Sequence, residues 1–133
     1  MSAMLSAEQL QFKEAVSRFF DEVSPPSTVR AFVESEAPFA RDVWHQASAE
    51  LGLMGVHLPE EFGGAGFGAR ELGIVCEEMG RTLYTGPYFG SSVMASYALL
   101  FFGSEDAKAG HLPGFAAGDT IGALALDLSL IHI

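Results

Sequence analysis

Four glycines within six positions, Gly63, Gly64, Gly66 and Gly68, constrain this chain more than any other feature. They close the run Leu51 to Gly68, LGLMGVHLPEEFGGAGFG, and a helical pattern follows at once from Arg70 through Arg81. Glycine at that density marks backbone that turns tightly or comes very close to something else. One candidate is nucleotide binding, because Gly64 to Ala69 satisfies G-x-G-x-x-[GA] and opens a helix. That chemistry needs a full strand before the glycines and an acid about 20 residues on for the ribose. Here only Val56-His57-Leu58 reads as extended, Pro59 cuts it off, and no Asp or Glu stands between Glu78 and Glu105. The sequence therefore predicts a tight connection between helices and no dinucleotide site.

A chain of 133 residues suits one domain, which would bury roughly two-thirds of its extended surface on folding. Hydrophobic residues make up 49% and charged ones 18%, so part of the surface is expected to meet other protein. The net charge of −10, with only seven Lys and Arg, excludes nucleic acid as a partner and disfavours a strongly anionic ligand. The single Cys76 forms no internal disulfide, and no Cys/His spacing suggests a metal site. The N-terminus lacks a basic region followed by an apolar run, so no signal peptide is read. The uncharged stretch Thr82 to Ser104 carries Gly86, Pro87, Gly90 and four serines, which fits a buried or partner-covered helix and no membrane span. A cytoplasmic protein is expected.

Ser6-Ala7-Glu8-Gln9 is a capping box, and Phe12, Val16, Phe19, Phe20 and Val23 follow at helical spacing up to Pro25-Pro26. Thr28 to about Glu34 can form a second helix, and Ala40 to Leu51 a third, with Val43, Trp44, Ala47 and Leu51 on one side. Leu72, Val75, Cys76 and Met79 define a fourth. Pro87 takes the first-turn position of a fifth, Tyr88 to Phe102, which is apolar almost all round and should sit centrally. Ser104 caps a short sixth, Glu105 to Leu112, ended by Pro113-Gly114, and Ile121 to Leu126 reads as the start of a β-strand. The expected fold is all-α, a bundle of five to six helices with that strand start at its C-terminal end.

Little in the chain can perform a reaction. Glu77 and Glu78 are adjacent and point apart on a helix, so they form no acid/base pair and are expected on a solvated face, with Glu78 and Arg81 making a surface ion pair. His45, His57, His111 and His132 are scattered and read as structural or exposed. Cys76, Trp44, Phe19 and Phe20 read as core.

Taken together, four blocks resemble one family in order and spacing. They are Leu5-Ser6-Ala7-Glu8-Gln9; Glu50-Leu51-Gly52-Leu53 with Leu58-Pro59-Glu60-Glu61-Phe62-Gly63-Gly64-Ala65-Gly66; Glu78-Met79-Gly80-Arg81; and Gly103-Ser104-Glu105 to Gly118-Asp119 before Ile121 to Leu126. The resemblance is to the N-terminal helical domain of the flavin-dependent acyl-CoA dehydrogenases, most of all their actinobacterial branch, and covers nearly all of residues 5–126. It implies a helical domain over 1–120, the beginning of a middle β-domain over 121–126, and a tail 127–133 that fits no part of the family.

The resemblance also implies the chemistry. In that family a carboxylate takes the α-proton of an acyl-CoA thioester while the β-hydride passes to FAD, and both the base and most of the FAD and CoA contacts lie in domains absent from this sequence. No catalytic residue is therefore assigned here. By position, the fifth helix would put Pro87, Gly90, Ser91 and Met94 on the wall of the acyl slot, and the first strand would bring Leu124, Ala125 and Leu126 to the flavin. Asp127-Leu128 stand where the family has Thr-Glu, and DLSLIHI resembles read-through of a sequencing adapter, so a truncated reading frame is expected. The implied partners are acyl-CoA, an electron-transfer flavoprotein as acceptor, and a homo- or heterotetrameric parent. The alternative is a self-standing helical module that pairs with a flavoprotein subunit.

Overall fold

A computed structural model describes residues 4–125, and these are all-α. The Ser6 hydroxyl accepts from Gln9 N–H at 3.2 Å and the Gln9 side chain accepts from Ser6 N–H at 3.0 Å, so the capping box starts α1 (Ala7–Val23) as its sequence dictates. Ser24 ends that helix. Pro26 then occupies the first turn of α2 (Pro26–Val33), two residues earlier than expected, because a first-turn proline loses no hydrogen bond there. α3 spans Arg41–Leu51 and stops at Gly52, whose φ of +60° is the left-handed conformation of a helix C-cap. After the glycine loop come α4 (Ala69–Arg81), a π-helical segment Phe89–Ala95 that runs directly into α5 (Ser96–Phe102), and α6 (Glu105–Ala117).

α1 packs along α4, while α6 lies against α5 and against two short 3-10 turns, Leu53–Gly55 and Glu60–Phe62. The main core gathers Val16 and Phe20 of α1, Trp44 and Ala47 of α3, Leu53, Met54 and Val56, and Val75 of α4, all essentially without exposure. A smaller cluster holds Leu58 under Leu112, Phe115 and Ala116 of α6. Trp44, Phe19 and Phe20 are core, as their helical spacing required.

Four expectations are corrected. Val56-His57-Leu58 is a buried turn and not an extended piece, because Leu58 N–H bonds back to Gly55 O at 3.1 Å. α6 continues through Pro113-Gly114 to Ala117: Leu112, Phe115 and Ala116 bury one face, which outweighs the single backbone bond that proline forfeits. Glu78 is buried rather than solvated, with Arg81 Nε at 2.6 Å and Lys13 Nζ at 3.6 Å from its carboxylate. Despite burial, the Arg81 hydrogen bond and both cations hold its carboxyl below the usual range. Finally, the fifth helix is not surrounded: its serines Ser91, Ser92 and Ser96 are buried while Phe89, Phe101 and Phe102 are exposed, Phe102 at 88%. Of the strand expected from Ile121, residues 121–125 are irregular, with no paired strand among the described residues; Leu126, His132 and the tail 127–133 lie outside them.

The glycine loop resolves the question its sequence posed. Gly63 and Gly66 sit at φ of +79° and +69°, and the loop folds back on residues 55–58. Ala65, Gly66 and Phe67 donate to the carbonyls of Gly55, Leu58 and Val56, Gly63 and Gly64 donate to Glu60 and Pro59, and Gly68 donates to the Glu71 carboxylate. Every amide from 63 to 68 is thus spent within the protein. A phosphate cradle needs those donors free, so the loop is a packing device.

Candidate functional site

The expected wall lies where α4 hands over to the fifth helix. α4 ends in a turn through Leu83, the one non-glycine residue with positive φ (55°) among the described residues, and Tyr84 follows with its ring folded over Gly86. A Cβ on Gly86 would stand 2.4 Å from that ring, so glycine is what lets Tyr84 reach the core. The Tyr84 hydroxyl is buried without a partner, and burial pushes it up to about 12. Pro87 then opens the helical path: its carbonyl accepts from Ser91 N–H at 2.9 Å.

Ser91 is fully buried, and its Oγ accepts from Gly122 N–H at 3.1 Å. That bond brings together the two groups the resemblance nominated, the fifth helix and the segment leading to Leu124 and Ala125. Gly90 faces open space, a Cβ there meeting nothing within 4 Å, and Pro87 and Met94 are half-buried. Two apolar grooves flank this helix. One, about 580 Å³, runs between Val29 and Val33 of α2, Met79 of α4, Leu83, Tyr88 and Phe89. The other, about 450 Å³, is lined by Ala95, Leu99 and Phe102, Phe115 of α6, and Gly122 and Leu124. Of the nominated residues, Leu124 lines the second groove, and Pro87, Gly90, Ser91 and Met94 line neither. Ala95 and Ala98, three apart on an apolar helix, are small residues whose spacing could have pointed to the second groove.

Sequence reasoning also missed the partner of His57. Its Nε2 is 2.9 Å from Ser96 Oγ, and Ser96 Oγ–H donates to Ser92 O at 2.6 Å. Tyr97 covers the imidazole with ring centroids 4.5 Å apart, and His57 Nδ1 is buried without a partner. Burial lowers the ring to about 4 from the ordinary 6.5. The unfolded chain therefore takes up a proton between pH 6.5 and 4 that the folded chain refuses, so stability is full above pH 6.5 and falls as pH drops through that window. The loss attributable to this ring should reach about 3 kcal/mol by pH 4. Urea unfolding of the native chain and of His57→Gln, which cannot titrate, at pH 7 and 4.5 checks it; equal losses in both would contradict the assignment.

No group of three or more His, Cys, Asp or Glu able to hold a metal occurs among the described residues, and none of their helices is long and apolar enough to cross a membrane. Comparison with known proteins decides the lineage. Residues 6–119 match the family model "Acyl-CoA dehydrogenase, N-terminal domain". The chain belongs to the acyl-CoA dehydrogenase family. It is 34% identical, over 90% of its own length, to acyl-CoA dehydrogenase IpdE2 of Mycobacterium tuberculosis, of which the match covers 37%. Among solved structures it resembles the ChsE4-ChsE5 complex from Mycobacterium tuberculosis, with a TM-score of 0.87 and 30% identity over 99% of this chain and 36% of that one. A glutaryl-CoA dehydrogenase from Mycobacterium smegmatis in complex with FADH2 matches with a TM-score of 0.74 and 27% identity over 88% of this chain and 30% of that one. The chain thus spans about a third of the length of such relatives and corresponds to their N-terminal domain.

Proposed function

We propose that residues 1–120 form the N-terminal domain of an FAD-dependent enzyme that introduces an α,β double bond into an acyl-CoA thioester, with 121–126 leading into a middle β-domain. The observation that carries this reading is the Gly122–Ser91 hydrogen bond. It holds the segment that follows α6 directly against the helix proposed to line the acyl slot, which supports reading that segment as the lead into a β-domain. When bound, FAD supplies the hydride acceptor. The residues of this chain that would meet it are Leu124, Ala125 and Leu126; Ala125 is exposed and Leu124 half-buried, which fits a backbone segment offered to a flat ring.

The remaining work of this domain is apolar. Between Glu78 and Glu105 there is no carboxylate, the Ser91 hydroxyl is held by Gly122, and His57 is enclosed and neutral. The wall therefore excludes water and positions an acyl chain, with Gly90 leaving room for bulk; proton transfer belongs to another domain. The exposed Phe89, Phe101 and Phe102 are the faces such a domain would cover. ChsE4-ChsE5, a complex by its name, supports a multisubunit parent, here taken as a homo- or heterotetramer in the cytoplasm that passes electrons to an electron-transfer flavoprotein.

The test is domain replacement: IpdE2 carrying residues 6–119 of this chain in place of its own N-terminal domain should bind flavin and oxidise acyl-CoA, whereas the 133-residue chain alone should do neither. In the active chimera, Gly90→Leu should raise KM for acyl-CoA at least tenfold while leaving the flavin spectrum unchanged. A chimera that loads flavin but turns over no acyl-CoA would count against the reading, and flavin-yellow 133-residue protein would overturn the claim of inactivity. A non-catalytic helical module that pairs with a flavoprotein subunit shares the exposed apolar face. It predicts instead that the 133-residue chain copurifies with an intact flavoprotein subunit.

A further inference from the structure

We propose that His57 is a positioning residue that holds the fifth helix in its π register through Ser96, and so fixes which side of that helix Ser91 and Met94 present. The argument begins at Ser92. In an α-helix its carbonyl would accept from Ser96 N–H. Here the backbone N–H bonds at the Ser96 cap go to Ser91 O, one residue further back, and to Val93 O, and the Ser96 hydroxyl takes the vacated place at Ser92 O at 2.6 Å. The hydroxyl's single proton is thereby spent, and its buried oxygen needs a donor.

His57 supplies one. With Ser96 Oγ already donating, the 2.9 Å contact must run from His57 Nε2–H to Ser96 Oγ, which leaves Nδ1 as a bare lone pair in its unpartnered position. A lone pair there is tolerable where a buried N–H would be orphaned, and the lowered basicity of the ring agrees with a neutral Nε2–H form. The turn at Val56-His57, clamped by the Phe67–Val56 and Ala65–Gly55 bonds of the glycine loop, sets the ring in place under Tyr97.

The register has consequences because each residue step along a helix turns the side chain by about 100°. Collapse of the π turn to α would swing the residues before it by that amount relative to α5, carrying Ser91 away from Gly122 and rotating Gly90 and Met94 with it. The effect on an acyl pocket rests on the function proposed above; the register itself does not.

The 133-residue chain, labelled with ¹⁵N and ¹³C, provides the test. Long-range ¹H–¹⁵N correlations should show His57 protonated at Nε2 and bare at Nδ1, and an Nδ1-protonated ring would overturn the proposal. His57→Leu should speed Gly122 amide exchange at least tenfold and replace the five-apart backbone contacts in 89–96 by four-apart ones. His57→Gln, whose amide can donate to Ser96, should restore both signals. Unchanged exchange and register in His57→Leu, or no restoration by His57→Gln, would sink it. Should His57→Leu not fold, Ser96→Ala removes the hydroxyl with little loss of volume, and persistence of the π turn in that variant overturns the proposal equally. Because no arm involves flavin or acyl-CoA, failure here is separable from failure of the functional reading.

Discussion

Gly64→Ala should abolish the cooperative unfolding transition of this domain, or lower its stability by about 3 kcal/mol or more if the chain still folds. The reason is backbone against backbone. A Cβ at position 64 would stand 2.1 Å from Leu58 O and 2.5 Å from Leu58 C, and no rotamer change relieves a clash with a carbonyl. Gly55 and Ala116 meet at the same place: a Cβ on Gly55 would lie 2.8 Å from that of Ala116 and 3.3 Å from Gly64 Cα. Moving Gly64 outward would therefore part the loop from residues 55–58 and lift α6 off both. The check is urea unfolding followed by far-UV circular dichroism, with Gly73→Ala as control. A Cβ at Gly73 meets nothing within 4 Å, and alanine there should be neutral or slightly stabilising. A Gly64→Ala protein as stable as the native chain would show that this close approach is dispensable.

Trp44→Ala should cost about 4 kcal/mol, a figure typical of deleting a large buried aromatic. Trp44 has no exposed surface, and it is the largest fully buried side chain among the described residues. Its indole Nε1–H donates to Gly118 O at 2.8 Å, at the left-handed cap where α6 ends, so truncation opens a cavity and strands a carbonyl together. Trp44→Phe weights the two differently: it keeps most of the buried volume, leaves a smaller cavity and loses the hydrogen bond, for about 2 kcal/mol. Since Trp44 is the sole tryptophan, the midpoints must be read by circular dichroism rather than fluorescence. Equal costs for the two substitutions would mean that the bond to Gly118, and not the filled volume, ties α3 to α6.

Both predictions concern features whose presence was legible in the sequence while their geometry was not. Four glycines in six positions announce constrained backbone, but only the fold shows that Leu58 is what Gly64 touches. The spacing of Val43, Trp44, Ala47 and Leu51 puts Trp44 on a buried stripe without naming Gly118, 74 positions away, as the acceptor of its N–H. Glu78 shows the limit more sharply. The sequence reads Glu78 as a solvated carboxylate pointing away from Glu77, yet Lys13 of α1 and Arg81 supply the charges that let it be buried. The corresponding miss in α6 has the same origin, because Pro113-Gly114 is a local stop signal and packing on Leu58 is a non-local gain.

Local chemistry and periodicity were enough to determine where the capped helices begin, which faces of most helices are apolar, and, with block order and spacing, the family. The capping box at Ser6, the proline at Pro87 and the cap at Ser104 act through groups at most four residues apart, so the sequence displays them directly. The tertiary structure alone decided that the fifth helix is wound as π over Phe89–Ala95, that its serines point inward while its phenylalanines stay exposed, and that His57 reaches Ser96. Those outcomes depend on which donors and acceptors the fold brings within hydrogen-bonding distance from 31 or 39 positions away. An apolar pattern fixes the side of a helix that is buried, but the partner of each buried polar atom is chosen only when the elements meet.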